Sequence, residues 1–297
     1  MILNAGTLAA LFTGFKLSFQ ESFASAKPLW ERVAMPVPST TEQELYAWLG
    51  TIPGFREWVG DRVIQNLKTH DFAIKNKDFE LTVGVPRNKI QDDTYGVYKP
   101  LFSEMGRAAK MHPDELVFAL LLAGFATPCY DGQYFFDTDH PVLDAAGVAQ
   151  SVSNFGGGAG TPWFLMDTTR MVRPLIWQKR SEYNFVRMDS DRDPNVFMKK
   201  EYVYGSDGRG NAGYGLWQLA YASKQTLDAT NYAAARAAMM SLKGDGGRPL
   251  NLTPNLLVVP PALEGAALEL LRSEQIGGTT NKWRGTAEPL VVALLAA

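Results

Sequence analysis

The single cysteine of this 297-residue chain, Cys129, opens the stretch CYDGQYFFDTDHPV (129–142). Within twelve positions it is joined by Asp131, Asp137, Asp139 and His140. These are the residue types that ligate metals or move protons. Metal ligands must converge, and their spacing says whether they can. Asp137 and Asp139, two apart, share one face of an extended strand, while His140 takes the other face. Pro141 pushes His140 toward extended backbone, in keeping with that geometry. The other two histidines, His70 and His112, stand in no ligand pattern, and no HExxH occurs. Nothing pairs Cys129 with a catalytic histidine. The stretch therefore reads as a turn rich in local Asx hydrogen bonds, with a metal or catalytic role as the alternative.

GRGNAG (208–213) matches the GxGxxG pattern of dinucleotide sites. That pattern carries weight only between a strand and a helix, with an acid about 20 residues later. Here GYGLW follows at once, a poor first helical turn, and the available acid, Asp228, lies in no strand pattern. The stretch reads as a mobile loop or wide turn. MDSDRDPN, with Asp189, Asp191 and Asp193, resembles a calcium loop but lacks its glycine and bidentate glutamate. Neither GxxxxGK[ST] nor GxSxG is present. No catalytic residue, cofactor or metal is expected, and the chain is not expected to be an enzyme.

Such side chains need elements to hold them. Apolar residues make up 46% of the chain and charged residues 20%, which describes a globular protein. The net charge of -2 and the pI near 6.0 argue against a dedicated nucleic-acid binder. One cysteine excludes an intrachain disulfide, so packing must hold the fold. No apolar run reaches membrane-spanning length, and the apolar N-terminus has no basic residue before Lys16, so no export signal is read.

Leu8, Leu11, Phe12, Phe15, Phe19 and Phe23 recur at helical spacing over 1–27. This amphipathic arm must bury itself, either on its own body or on a neighbouring subunit. AMPVPSTT (34–41) is a connector. Thr40 or Thr41, with Glu44 at capping-box distance, predicts a helix ELYAWLG ending at Gly50, and a short helix over GFREWVGDRVIQNL (54–67) follows. Phe72 and Ile74 alternate, as do Phe79, Leu81, Val83 and Val85, so DFAIKNKDFELTVGVP predicts a hairpin turning at Asn76-Lys77. Residues 92–125 predict a helical rod of about 30 residues, roughly 45 Å long, bent at Pro113 and ended by Gly124. A loop-rich segment, 126–170, precedes strands in RPLIWQKR, EYNFVRM and NVFMKKEYVYG. NYAAARAAMMSLK reads as a helix closed by Gly244. LLVVP (256–260) reads as a buried strand, Pro261 starts a helix carrying Leu263, Ala267, Leu270 and Leu271 on one face, and PLVVALL reads as a final strand.

This order of elements resembles the HK97-like coat-protein fold of tailed double-stranded DNA viruses. Several stretches are similar to the phage Mu-like major head subunit (gpT) family. They are PSTTEQELYAWLGTIPGFREWVGDR (38–62), IKNKDFELTV (74–83), IQDDTYGVY (90–98), CYDGQYFFDTDHPV (129–142), RPLIWQKR (173–180) and TPNLLVVPPALEGAA (253–267). They span most of the chain, and none is a catalytic signature. The resemblance implies an α+β fold with an N-terminal arm at 1–39 and a helical segment with an extended hairpin loop at 40–91, the hairpin itself around 63–91. It further implies a spine helix at 92–125, a first part of an axial domain at 126–170 and strands of a peripheral domain at 171–225. Residues 226–297 would complete the axial domain and add the terminal strand.

By the same resemblance the function is self-assembly into pentamers and hexamers of an icosahedral shell around phage double-stranded DNA. The partners implied are copies of the chain, a portal at one vertex, scaffold or decoration proteins and the packaged DNA, with no membrane. The location implied is the virion capsid, assembled in the bacterial host cytoplasm. Candidate subunit contacts are Leu8, Leu11, Phe12, Phe15, Phe19 and Phe23 on the arm and Phe72, Ile74, Phe79 and Leu81 on the hairpin. Met1 at the start suggests no cleavage on maturation. A near-neutral chain suits a shell lining that lets DNA slide, since a basic lining would hold phosphate through counterion release. The alternatives are another phage structural protein, of a tube or baseplate, and a nucleotide- or metal-binding enzyme.

Overall fold

The computed structural model describes residues 4–49, 72–92 and 96–296. Helix α1 (Ala5–Ser25) starts at a reciprocal cap in which Asn4 Oδ1 accepts from the Thr7 amide and Thr7 Oγ1 from the Asn4 amide. Strands β1 (Ala34–Pro38), β2 (Gln43–Leu45), β3 (Ala73–Lys75) and β4 (Lys77–Pro86) follow, then helices α2 (Arg87–Asp92) and α3 (Lys99–Ala123). Short strands β5 (His140–Leu143), β6 (Ala149–Val152), β7 (Phe155–Gly158) and β8 (Trp163–Met166) precede the long strand β9 (Leu175–Met188). Helix α4 (Pro194–Lys199), the long strand β10 (Glu201–Tyr214), β11 (Ala220–Lys224) and helix α5 (Ala229–Met240) come next. The chain closes with β12 (Leu256–Val259), α6 (Glu264–Arg272), β13 (Gln275–Ile276), β14 (Thr279–Thr280) and β15 (Glu288–Val291).

Two sheets organise these elements. The first has the order β1-β9-β10-β4, with β1 parallel to β9 and the other pairs antiparallel. The second has the order β15-β12-β8-β11-β7. Its strands β8 and β12 are apolar throughout and buried on both faces. Phe164, Met166, Leu256 and Val258 point into one core, and Trp163, Leu165, Leu257 and Val259 into another, where α5 and α6 add Tyr232, Met239, Leu270 and Leu271. A further core lies where α1 and α3 cover the long strands, around Phe15, Phe19, Phe102, Phe185 and Tyr204. The two helices approach closely because position 106 is glycine. A Cβ there would stand 2.1 Å from the Phe19 carbonyl oxygen.

The element types predicted for α1, α3, α5, α6 and β12 hold, and the differences have local causes. The helix expected at 44–50 is replaced, over the described residues 44–49, by strand β2 and a turn. Glu44 Oε1 does gather the Thr40 and Thr41 amides at 2.7 and 3.1 Å, but the clamp orders the approach to a strand rather than a helix start. The helix expected at 54–67 lies outside the described residues. The hairpin at 72–86 has its strands in the expected places but not its pairing. β3 pairs with β2, β4 pairs with β10, and Asn76 is buried between them, bonded to Ser39, Thr41 and Gln178. The ladder from Gln43↔Lys75 to Leu45↔Ala73, continued by the Tyr46 amide donating to the Phe72 carbonyl at 2.9 Å, brings Tyr46 and Phe72 together.

The rod is α3, 25 residues and about 37 Å long. It runs unbroken through Pro113, while Asp114 turns outward to accept from the Leu29 and Trp30 amides at 3.0 and 2.6 Å. RPLIWQKR and EYNFVRM merge into β9, and NVFMKK is helix α4, with Pro194 in its first turn. Residues 126–170 hold four short strands. The final PLVVALL is a four-residue strand followed by a 3-10 turn.

Candidate functional site

The turn at 129–133 is closed by Cys129 N–H to Gln133 O at 2.8 Å, with Gly132 at φ +90, where other residues are strained. Asp131 points back across it. Its Oδ1 accepts from the Cys129 thiol and the Gln133 amide, each at 3.1 Å, and its Oδ2 lies 2.7 Å from His140 Nδ1. His140, at the start of β5, is fully buried and stacks on Trp217, with ring centroids 3.9 Å apart and planes 9° apart. Its Nε2 faces Asn154 Oδ1 at 3.2 Å. The Asn154 amide is oriented by its own partners. Nδ2 donates to the Phe135 carbonyl at 2.8 Å and the Ala220 carbonyl at 3.2 Å, and Oδ1 also accepts from the Asp137 amide. An oxygen therefore faces each ring nitrogen.

Burial alone would raise the Asp131 carboxyl. The hydrogen bonds from His140 and Cys129 outweigh it and hold the group below its ordinary value. Burial and the adjacent Asp131 push the Cys129 thiol far up, so it is no thiolate nucleophile.

The sequence reading gave His140 no partner. Asp137 makes the expected local bonds, accepting from the Tyr134 and Thr138 amides, and Asp139 is exposed. His140 turns instead to Asp131 and Cys129. These three are the one group of His, Cys, Asp or Glu side chains among the described residues whose ligand atoms converge, all within 4.8 Å of one another. Asn154 and Trp217, distant in sequence, complete the cluster, and no spacing rule points to them.

The other motifs do not form sites. GRGNAG lies inside β10, which corrects its reading as a mobile loop. Its glycines leave space for neighbours: the Tyr183 ring lies over Gly208 and the Ile74 side chain over Gly213. Asp228 caps α5, accepting from the Thr230 and Asn231 amides. Asp189 pairs with Arg187, Asp191 with Arg87, and Asp193 accepts from the Ser190 amide, so the three acids diverge.

The candidate contact residues are placed largely inside the chain. Leu8, Phe15 and Phe19 are buried in its own core, with Leu11, Phe12 and Phe23 packed on that core. Phe15 stacks on Phe102 at 4.2 Å and Phe12 on Phe185 at 5.6 Å. Ile74 is buried, Phe72 packs against the first core, Phe79 meets the His112 ring at 4.4 Å, and Leu81 is exposed. Other apolar side chains face outward. Phe197 (79% exposed) and Met198 (76%) lie on α4, Met188 ends the neighbouring β9, and Leu45 and Met171 stand elsewhere. The only sequence signal for the α4 pair is Phe-Met in an otherwise charged segment.

The model of the Mu-like prophage major head subunit gpT family matches residues 8–295. The chain belongs to that family. The major capsid protein of Escherichia phage Mu is 43% identical over 99% of both chains, and the Mu-like prophage FluMu major head subunit of Haemophilus influenzae is 45% identical over 89% of this chain and 88% of the relative. A chain of the bacteriophage JBD30 procapsid matches with a TM-score of 0.86 and 45% identity, covering 98% of this chain and all of that one. A chain of the JBD30 capsid matches with a TM-score of 0.78 and 35% identity, covering 99% and 100%. This gpT-family member is thus an α+β coat subunit of HK97-like fold, a structural protein of phage heads and not an enzyme. Among the described residues no helix is long and apolar enough to cross a membrane.

Proposed function

We propose that copies of this chain close into pentamers and hexamers of an icosahedral shell that encloses phage double-stranded DNA. The observation that carries this reading is the end-to-end match to a JBD30 procapsid chain. Such shells use heterologous contacts, each with a patch on one subunit and a different patch on the next. In this reading α3 is the spine, beside the sheet β1-β9-β10-β4 of a peripheral domain. The sheet β15-β12-β8-β11-β7, with α5 and α6, is the body of an axial domain. The extended loop leaves the body between β2 and β3, whose ladder holds its two ends together. The contacts come from the exposed apolar positions on α4, the end of β9 and Leu45, more than from α1, whose apolar stripe already has partners. At about 25 cal/mol per Å², an interface of ~2,000 Å² contributes tens of kcal/mol gross, before ordering costs are subtracted.

A portal at one vertex, scaffold or decoration proteins, a neutral to slightly acidic lining and assembly in the host cytoplasm belong to the same proposal. Electron microscopy of the purified protein, alone and co-expressed with the neighbouring head genes, tests it. Closed polyhedral particles of uniform diameter are expected. Only tubes, rings or dispersed monomers in both preparations would overturn it.

A further inference from the structure

We propose that Cys129 Sγ, the Asp131 carboxylate and His140 Nδ1 form a binding site for one divalent transition-metal ion of the zinc class. The coat-subunit role does not require such a site. Three features of the cluster lead to it.

The first is convergence. A four-coordinate zinc ion, with bonds of about 2.0–2.3 Å, holds its ligand atoms roughly 3.3–3.8 Å apart. Here Sγ and Oδ1 are 3.1 Å apart, Oδ2 and Nδ1 are 2.7 Å apart, and every ligand atom lies within 4.8 Å of the others. To reach the required spacing the Asp131 contacts open slightly, and any separation near the 4.8 Å bound closes by about 1 Å.

The second is the support around the histidine. Asn154 cannot turn without losing its bonds to the Phe135 and Ala220 carbonyls, so it presents Oδ1 to Nε2. A hydrogen on Nε2 leaves Nδ1 free to act as the donor atom toward a metal. Trp217 fixes the ring plane. A ligating imidazole held by a hydrogen bond on its far nitrogen is the usual second layer of a metal site.

The third is charge. On binding, the Sγ–H bond breaks and its proton leaves to solvent, as does any proton on Nδ1, and three metal–ligand bonds form, to Sγ, an Asp131 oxygen and Nδ1. A thiolate, a carboxylate, a neutral imidazole and a dipositive ion sum to zero. The loaded site therefore carries no net charge, which avoids the main cost of burying a cation. Thiolate and imidazole together select zinc-like ions over magnesium or calcium. The Asp131 side chain, 7% exposed against 0% for His140, is the edge from which a fourth ligand enters, either a water or its own second oxygen. A bound ion would clasp the 129–133 turn to β5 and, through Trp217, to the connection between β10 and β11.

The test uses the full-length, untagged protein purified without chelator. Elemental analysis is expected to find about one zinc per chain. Replacement by cobalt(II) is expected to produce a thiolate-to-cobalt charge-transfer band, and chelation to lower the melting temperature by several degrees. Cys129→Ser, which keeps a hydrogen-bonding group beside Asp131, is expected to retain the circular dichroism spectrum while losing the band and at least tenfold in bound metal. Asp131→Asn serves as a second variant if the first does not fold, with the same expected losses. Wild-type protein that holds less than a tenth of an ion per chain and shows no thiolate band under excess cobalt would overturn the proposal. So would metal content unchanged in a folded variant.

Discussion

The two sheets of this subunit use sequence in opposite ways. In the five-stranded sheet the central strands β8 and β12 are four residues long and wholly buried, so every side chain has its partner inside the chain. In the four-stranded sheet β9 and β10 run to 14 residues each, beyond the cover that α1 and α3 provide. Val186 and Met188 on β9 are exposed, and the adjoining α4 presents Phe197 and Met198. A short strand buried on both faces stabilises one subunit. A long strand half covered by its own helices leaves surface for something else to cover, and the proposed shell assigns that surface to a second copy.

Deleting residues 1–27 tests the covered half of the long sheet and carries the largest expected effect. The deletion strips Leu8, Phe15 and Phe19 from the core they share with Phe102, Phe185 and Tyr204. Each aromatic lost costs about 3–5 kcal/mol. The sum rivals the whole stability of a domain, about 5–15 kcal/mol. The truncated chain is therefore expected to lose cooperative folding, read as loss of a sigmoidal melt. A soluble, cooperatively melting subunit would mean that α1 belongs to a neighbour instead.

A paired substitution separates the two sheets directly. Phe164→Ala in β8 is expected to cost about 3–5 kcal/mol in denaturant unfolding of the subunit. Replacing Phe197 and Met198 together by Ser is expected to change that stability by no more than about 0.5 kcal/mol, as at exposed sites generally. The double variant is instead expected to lower the yield of particles in electron microscopy. If both changes alter unfolding equally, the contrast between the sheets fails.

The smallest effect concerns Glu44. Hydrogen bonds from the Thr40 amide, Ser39, the Thr41 hydroxyl and the Thr41 amide hold its carboxyl down at about 2, against an ordinary value of 4.5. A depressed acid contributes its stability fully above its ordinary value and loses it as pH falls toward the folded one. The wild type is thus expected to lose this contribution between roughly pH 4.5 and 2, and Glu44→Gln to flatten that part of the acid-unfolding curve. Because solvent reaches this half-buried group, the step is small.

What the sequence by itself determined follows from local physics. The 3.6-residue spacing of Leu8, Phe15 and Phe19, the apolar run at 256–259 and the order of the family's stretches were enough for helix α1, the buried strand β12 and the coat-protein family, while β8 lay in a segment that read as loop-rich. Pairing was left to tertiary structure, because strand partners are chosen by contacts distant along the chain. Ile74 fits over Gly213, and Asn76 joins Ser39 to Gln178, so β3 turned to β2 and β4 to β10 where a local hairpin looked adequate. GRGNAG became strand because its neighbours' rings occupy the space its glycines leave. The cluster at Cys129 shows the same limit most sharply. Cysteine, aspartate and histidine were legible as types, but His140 found Asp131 rather than Asp137 or Asp139. That choice was made by Trp217 and Asn154, whose stacking and hydrogen bonds orient the ring and which no spacing within 129–142 could reveal.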